Sequence, residues 1–207
     1  MGLYRHIDHS KSSFQANGQN EERLFAQIQE IKKLNTSMKN KIHVFAGIEC
    51  DILASGNLDF PNEVLQELDY VIVSVHNALS QDEKTMTRRI IKAIENPYTT
   101  MIGHLTGRIL LRREPYKVNI AKVIDAAIAN RKMIEINGNP SRMDMDRRFW
   151  HAASEKGLLC CINTDAHFTD HLHFITAGVN VARKGWLEKK HILNTRTLKE
   201  VRSHLKK

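Results

Sequence analysis

Six side chains of this 207-residue sequence have the types and the spacing to do metal chemistry: His9, Glu49, His76, His104, Asp165 and His167. Glu49 directly follows the apolar run IHVFAGI, and His76 directly follows YVIVSV. His104 stands two residues beyond Ile102, Asp165 and His167 come after LLCCINT, and His9 lies in IDHS behind a first short apolar piece. From Glu49 to His76 to His104 the intervals are 27 and 28 residues, and 61 more lead to Asp165, with Glu135 between. An interval of that size is close to one strand-helix unit of ~30 residues, so a polar residue recurs once per unit. Four imidazoles and two carboxylates suit zinc, manganese or iron. A carboxylate can bridge two such ions, and a multi-metal site is a common device for activating water against a phosphate ester.

Burying Glu49 or Asp165 behind an apolar strand without a cation or donors would be costly, which favours the ligand reading. Glu135 is open at this point: it either supports the site or pairs with a nearby arginine. His43, His151, His171, His173, His191 and His204 read as surface or hydrogen-bonded structural histidines. His6 is excluded as a ligand because, three residues before His9 on an extended segment, it points to the opposite face.

Such residues meet only if the chain positions them on one rim. Short apolar runs alternate with segments of helical period, as in a parallel sheet built from strand-helix units. The runs 42–48, 70–75, 100–102, 133–136 and 158–162 read as strands buried on both faces. Helices are expected over 21–34, behind an Asn119 cap, over 85–95 with Ser80 and Glu83 spaced as a capping box, and over 149–156 with Gly157 as the stop. A short basic helix is expected over 197–207. In such sheets the C-terminal strand ends share one face, where ligands bind.

Composition narrows the class. The chain is 42% hydrophobic and 26% charged, with 10 Gly and 4 Pro, so it reads as one globular α/β domain over residues 1–207 rather than a disordered or repetitive one. No apolar run approaches the ~18 residues of a membrane span, and the N-terminus lacks a signal-peptide core, so a cytoplasmic location is expected. Cys50, Cys160 and Cys161 have no CxxC spacing and read as buried thiols. A net charge of +8 favours polyanionic partners such as nucleic acid.

The segments IDHSKS, GIECDIL, DYVIVSVH, ENPYTTMIGHLTGR, LLRREPY, EINGNPSRMD, INTDAH and GWLEKKHILNT, taken in order, resemble the polymerase and histidinol phosphatase (PHP) domain, in particular the C-terminal PHP domain of bacterial family X DNA polymerases. The resemblance runs from about Tyr4 to the C-terminus. It implies a distorted seven-stranded, TIM-like (β/α)7 barrel with up to three ions, Zn2+ or Mn2+, at the strand ends. It implies metal ligands at His9, Glu49, His76, His104, Asp165 and His167, with Glu49 and Asp165 acting catalytically through metal-bound water, and 3′ to 5′ exonuclease or related phosphodiesterase activity in DNA repair. Arg108 and Lys11 are candidates for substrate phosphate, and Glu135 and Asn163 for support. Family members also carry an HxH strand upstream, which this sequence lacks before His9. On the family pattern one ion site, Glu49–His76–His104, is complete, and impaired activity is expected. The implied partners are DNA at 3′ ends or gaps, no membrane, and either an upstream polymerase domain or a second copy paired through the open barrel seam. A small-molecule phosphatase of histidinol-phosphatase type and a catalytically silent DNA-binding module are the alternatives.

Overall fold

The computed structural model describes residues 2–13, 17–38 and 41–205. Among them six strands, β1 (Gly2–His9), β2 (Ile42–Asp51), β3 (Tyr70–Ser74), β4 (Met101–Ile102), β5 (Met133–Asn137) and β6 (Cys160–Asn163), form one sheet. All neighbours are parallel, and their order in space is their order in sequence. Each crossover therefore steps one strand onward in the same sense, and the sheet curls into a half-barrel compatible with the TIM-like α/β barrel. The helices are α1 (Glu21–Ser37), α2 (Asn62–Leu65), α3 (Glu83–Glu95), α4 (Ile120–Ala129), α5 (Trp150–Glu155), α6 (Ile175–Lys184) and α7 (Leu198–Leu205). None of them is long and apolar enough to cross a membrane.

The local signals mostly act as read. Asn119 caps α4 by accepting from the Lys122 N–H, and Gly157 takes a left-handed φ of +90° behind α5. Two expectations change. The Ser80–Glu83 capping box does not form: Asp82 is the cap of α3, its carboxylate accepting from the Thr85 N–H at 2.9 Å and from the Thr85 hydroxyl at 2.7 Å. Helix α6 was not anticipated because Gly178 and two valines weaken its helical signal. Gly178 is required by close packing, since a Cβ there would stand 2.4 Å from Cγ2 of Ile162. The reading of His6, like residues 206–207 of the basic C-terminal helix, lies outside the described side chains.

Alternation along the strands sorts the core into two layers. Val44, Ala46, Ile48, Cys50, Val71, Val73, Ile134, Ile136, Cys160 and Ile162 face the helices in one large cluster. Phe45, Tyr70, Ile72, Met101, Met133 and Cys161 fill the floor of the concave side together with Leu193 and Val201. The adjacent Cys160 and Cys161 are thus buried on opposite faces of the sheet. Gly47 makes room for Tyr70 on that floor, because a Cβ would lie 2.2 Å from its ring.

The seam expected to be open at both edges is covered at β6. Ile192 forms a parallel bridge with Cys160. Asn194 accepts from the Ile162 N–H at 2.7 Å and donates to the Ile162 carbonyl at 2.9 Å, imitating a strand with its side chain.

Candidate metal centre

Above the apolar floor, the same inward parity delivers polar groups. Glu49 and Asp51 follow Phe45 on β2 at even steps, Ser74 and His76 follow Tyr70, Glu135 and Asn137 follow Met133, and Asn163 and Asp165 follow Cys161. Parallel pairing sets His9 level with Glu49. His104 lies past the end of β4, where Gly103 has room only because it lacks a Cβ that would stand 2.4 Å from Ser74 Oγ. The turn is fixed by the His104 N–H donating to Glu135 Oε2 at 2.7 Å.

The imidazoles converge. Nε2 of His76 and Nε2 of His104 are 3.3 Å apart and lie 3.3 and 3.0 Å from Glu49 Oε1. Glu49 Oε1 nevertheless makes no hydrogen bond of acceptable geometry, and it is buried. Two imidazole nitrogens crowded against a carboxylate oxygen that is buried without a hydrogen bond fit a divalent cation. His9 Nε2 stands 3.8 Å from Glu49 Oε2, and His9, Glu49 and His76 can offer ligand atoms within 4.8 Å of one another. Burial alone would push the Glu49 carboxyl up, but His104 and His76 overcome it and hold it well below the usual range. Burial works against the charge on His76 as well; Asp51 and Glu49 outweigh it and raise the imidazole to about 9. His9, where burial dominates, is shifted down. An incoming cation therefore competes with a proton at His76.

A surrounding set holds these groups in place. Asp51, 1% exposed, contacts His76 Nδ1 at 2.5 Å and accepts from the Ser12 and Ser13 hydroxyls at 2.7 and 3.1 Å. This carboxylate–imidazole pairing fixes which ring nitrogen faces the cluster. The buried Arg89 of α3 donates to the Asn77 carbonyl at 3.0 Å, to Asn77 Oδ1 at 2.9 Å and to the Ile52 carbonyl, tying together the turns after His76 and Asp51. Glu135 accepts from Asn163 Nδ2 at 2.7 Å and from Asn137 Nδ2 at 3.1 Å, and burial pushes its carboxyl up.

Asp165 takes a left-handed φ of +52°, is ion-paired with Arg142 Nε at 3.0 Å and accepts from Asn137 Nδ2 at 3.1 Å. The exposed His167 places its ring 6.0 Å from that of His9. The two phosphate candidates are engaged elsewhere. Arg108 donates to the carbonyls of Arg142 and Met143 and pairs with Asp146 at 3.3 Å, and Lys11 pairs with Glu21 at 2.8 Å. Arg142 is the guanidinium at the cluster, and its Nη1 is buried without a partner. Asp51, Asn137, Arg142 and Arg89 join the site without standing in the recurring strand-end pattern of the sequence. The first two were legible as residues two beyond Glu49 and Glu135 on the same strand face.

Over 200 residues, 97% of this chain, the sequence is 40% identical to the DNA polymerase/3′-5′ exonuclease PolX of Bacillus subtilis (strain 168). It belongs to the PHP family. The PHP chain corresponds to the C-terminal part of that relative and spans 35% of its length. It is also 32% identical over 164 residues to a probable phosphatase of Thermoanaerobacter sp. (strain X514), covering 74% of this chain and 64% of the relative. A probable phosphatase of Caldicellulosiruptor bescii is 39% identical over 103 residues, 48% of this chain and 40% of its own length. No family model matches the chain.

Proposed function

We propose that residues 1–207 form a single PHP domain that hydrolyses phosphodiesters with a divalent metal, Zn2+ or Mn2+, acting on DNA 3′ ends as a repair exonuclease. The observation that carries this reading is the convergence of His76 Nε2, His104 Nε2 and Glu49 Oε1 within 3.3 Å of one another. These three atoms and His9 would hold an ion, and Asp165 and His167 are the proposed ligands on the far side of the cluster. When bound, such an ion supplies Lewis acidity that acidifies water and neutralises phosphoryl charge. Glu49 and Asp165 are the catalytic carboxylates, one gripping the ion and the other accepting a proton beside it. Asp51 orients His76, while Glu135 and Asn163 hold His104 in register. Arg142, at the cluster with an unpartnered Nη1, takes the role of phosphate cation in place of Arg108 and Lys11.

The names of the phosphatase relatives favour a second substrate class, a small phosphomonoester; the net charge of +8 favours DNA. The test uses 5′-labelled single-stranded DNA beside histidinol phosphate, with added Mn2+ or Zn2+. Stepwise shortening of the DNA by the native chain, abolished in a folded Glu49→Ala variant, is the expected result. Equal turnover by that variant refutes the proposed site, and hydrolysis of histidinol phosphate alone replaces the proposed substrate.

A further inference from the structure

Immediately beyond His167 the chain builds a column of rings that the hydrolytic centre does not use. Phe168 meets His171 edge to face at 5.2 Å, and His171 stacks on Phe174 at 4.7 Å with 23° between the planes. Phe174 meets His173 at 5.0 Å. The column grades from the half-buried Phe174 and His171 to Phe168, which is 72% exposed. An aromatic ring left so far in water has no apolar partner for most of its area. Leu172, Ile175 and Val179, exposed by 42%, 38% and 41%, continue the apolar stripe onto α6.

The column is fixed to the candidate metal centre at two points. The His167 N–H donates to His171 Nδ1 at 3.4 Å. The Phe174 carbonyl packs so closely on Gly138, next to Asn137, that a Cβ there would lie 2.8 Å from it and 3.1 Å from the Asn163 carbonyl. The rings are therefore held in register with the strand ends carrying Asp165 and Glu135.

We infer that the Phe168–His171–Phe174 column is a stacking platform for unpaired bases of a single-stranded nucleic acid whose phosphate sits at the His9–Glu49–His76–His104 cluster. The inference rests on the proposed function and narrows it to single-stranded ends. A base has a π-face whatever its identity, so such a platform is tolerant of sequence. One peptide bond separates Phe168 from His167, whose ring is 6.0 Å from His9, so a base joined to a phosphate at the cluster is within reach. The chain's excess of positive charge matches the polyanion to which those bases are attached.

The test reads binding without turnover, by fluorescence anisotropy of the whole chain with a labelled oligo(dT) and an abasic oligomer of equal length, at one salt concentration and without added metal. Phe168→Ala is expected to weaken oligo(dT) binding by about 5- to 100-fold, to leave abasic binding unchanged, and to be rescued by Phe168→Trp. Because Phe168 is exposed, the variant should melt at the native temperature. Unchanged oligo(dT) affinity overturns the platform, as does an equal loss on both oligomers, and an apolar protein surface then becomes the occupant of the stripe. Selective loss without any hydrolysis by the native chain would sink the exonuclease reading and leave the platform standing.

Discussion

Removing Asp51 isolates the contribution of the carboxylate behind the metal centre. Its side chain is 1% exposed, lies 2.5 Å from His76 Nδ1 and accepts two serine hydroxyls. Asp51→Ala leaves His76 free to rotate or to change tautomer, so its Nε2 no longer faces Glu49 by default. Loss of such a partner costs about 10- to 100-fold in metal affinity, or about 1.4–2.7 kcal/mol. Asp51→Asn keeps one acceptor oxygen and loses the charge, and it should fall near the lower end. Ala also removes the acceptor of the two half-buried serine hydroxyls, and each lost hydrogen bond adds about 0.5–1.5 kcal/mol to the stability loss. The two effects separate experimentally: thermal unfolding in excess chelator reads the metal-free fold, and competition with a chromophoric chelator reads Zn2+ or Mn2+ affinity. If both variants remain folded and bind metal within twofold of the native chain, Asp51 does not orient His76 and the reasoning fails.

Three further outcomes follow from other features. Asp82→Ala should lower the midpoint of chemical denaturation, whereas Ser80→Ala should leave it unchanged, because Asp82 supplies the side-chain cap of α3. Burial pushes the Cys50 thiol up to about 12, so in the native state it should resist iodoacetamide at pH 8 and react only after unfolding, as mass spectrometry of quenched samples would show. The Arg148 hydrogen bond, with Arg108 adding to it, holds the Asp146 carboxyl at about 2 against an ordinary 3.8. A depressed folded value stabilises above the unfolded value and is lost as pH falls through the folded one. The stability difference between the native chain and Asp146→Asn should therefore be present above pH ~4 and vanish by pH ~2, and denaturant midpoints measured across that range check it.

The parallel α/β character was legible because β-branched runs recur at the length of one strand-helix unit, and the candidate ligands were legible because each follows such a run. Helix α6 was hidden by Gly178, whose purpose is a close approach to Ile162 that no local propensity encodes. Asp51 and Asn137 share the inward parity of Glu49 and Glu135, but a residue whose partner is another side chain carries no signal until the partner's position is known. Arg108 and Arg142 look equivalent as basic loop residues. They differ only in which carbonyls and carboxylates the folded loops bring to them, and that is a tertiary fact.

Asn194 has a consequence for solubility. A sheet that ends in free N–H and C=O groups is a template for the next chain, and proteins commonly blunt it with a charge or a proline. Here a carboxamide occupies the donor and acceptor of Ile162 at once, so an incoming strand would find both already taken. A substitution such as Asn194→Leu would vacate them without touching the metal centre, turning a blunted margin into an adhesive one that invites chain-to-chain polymerisation.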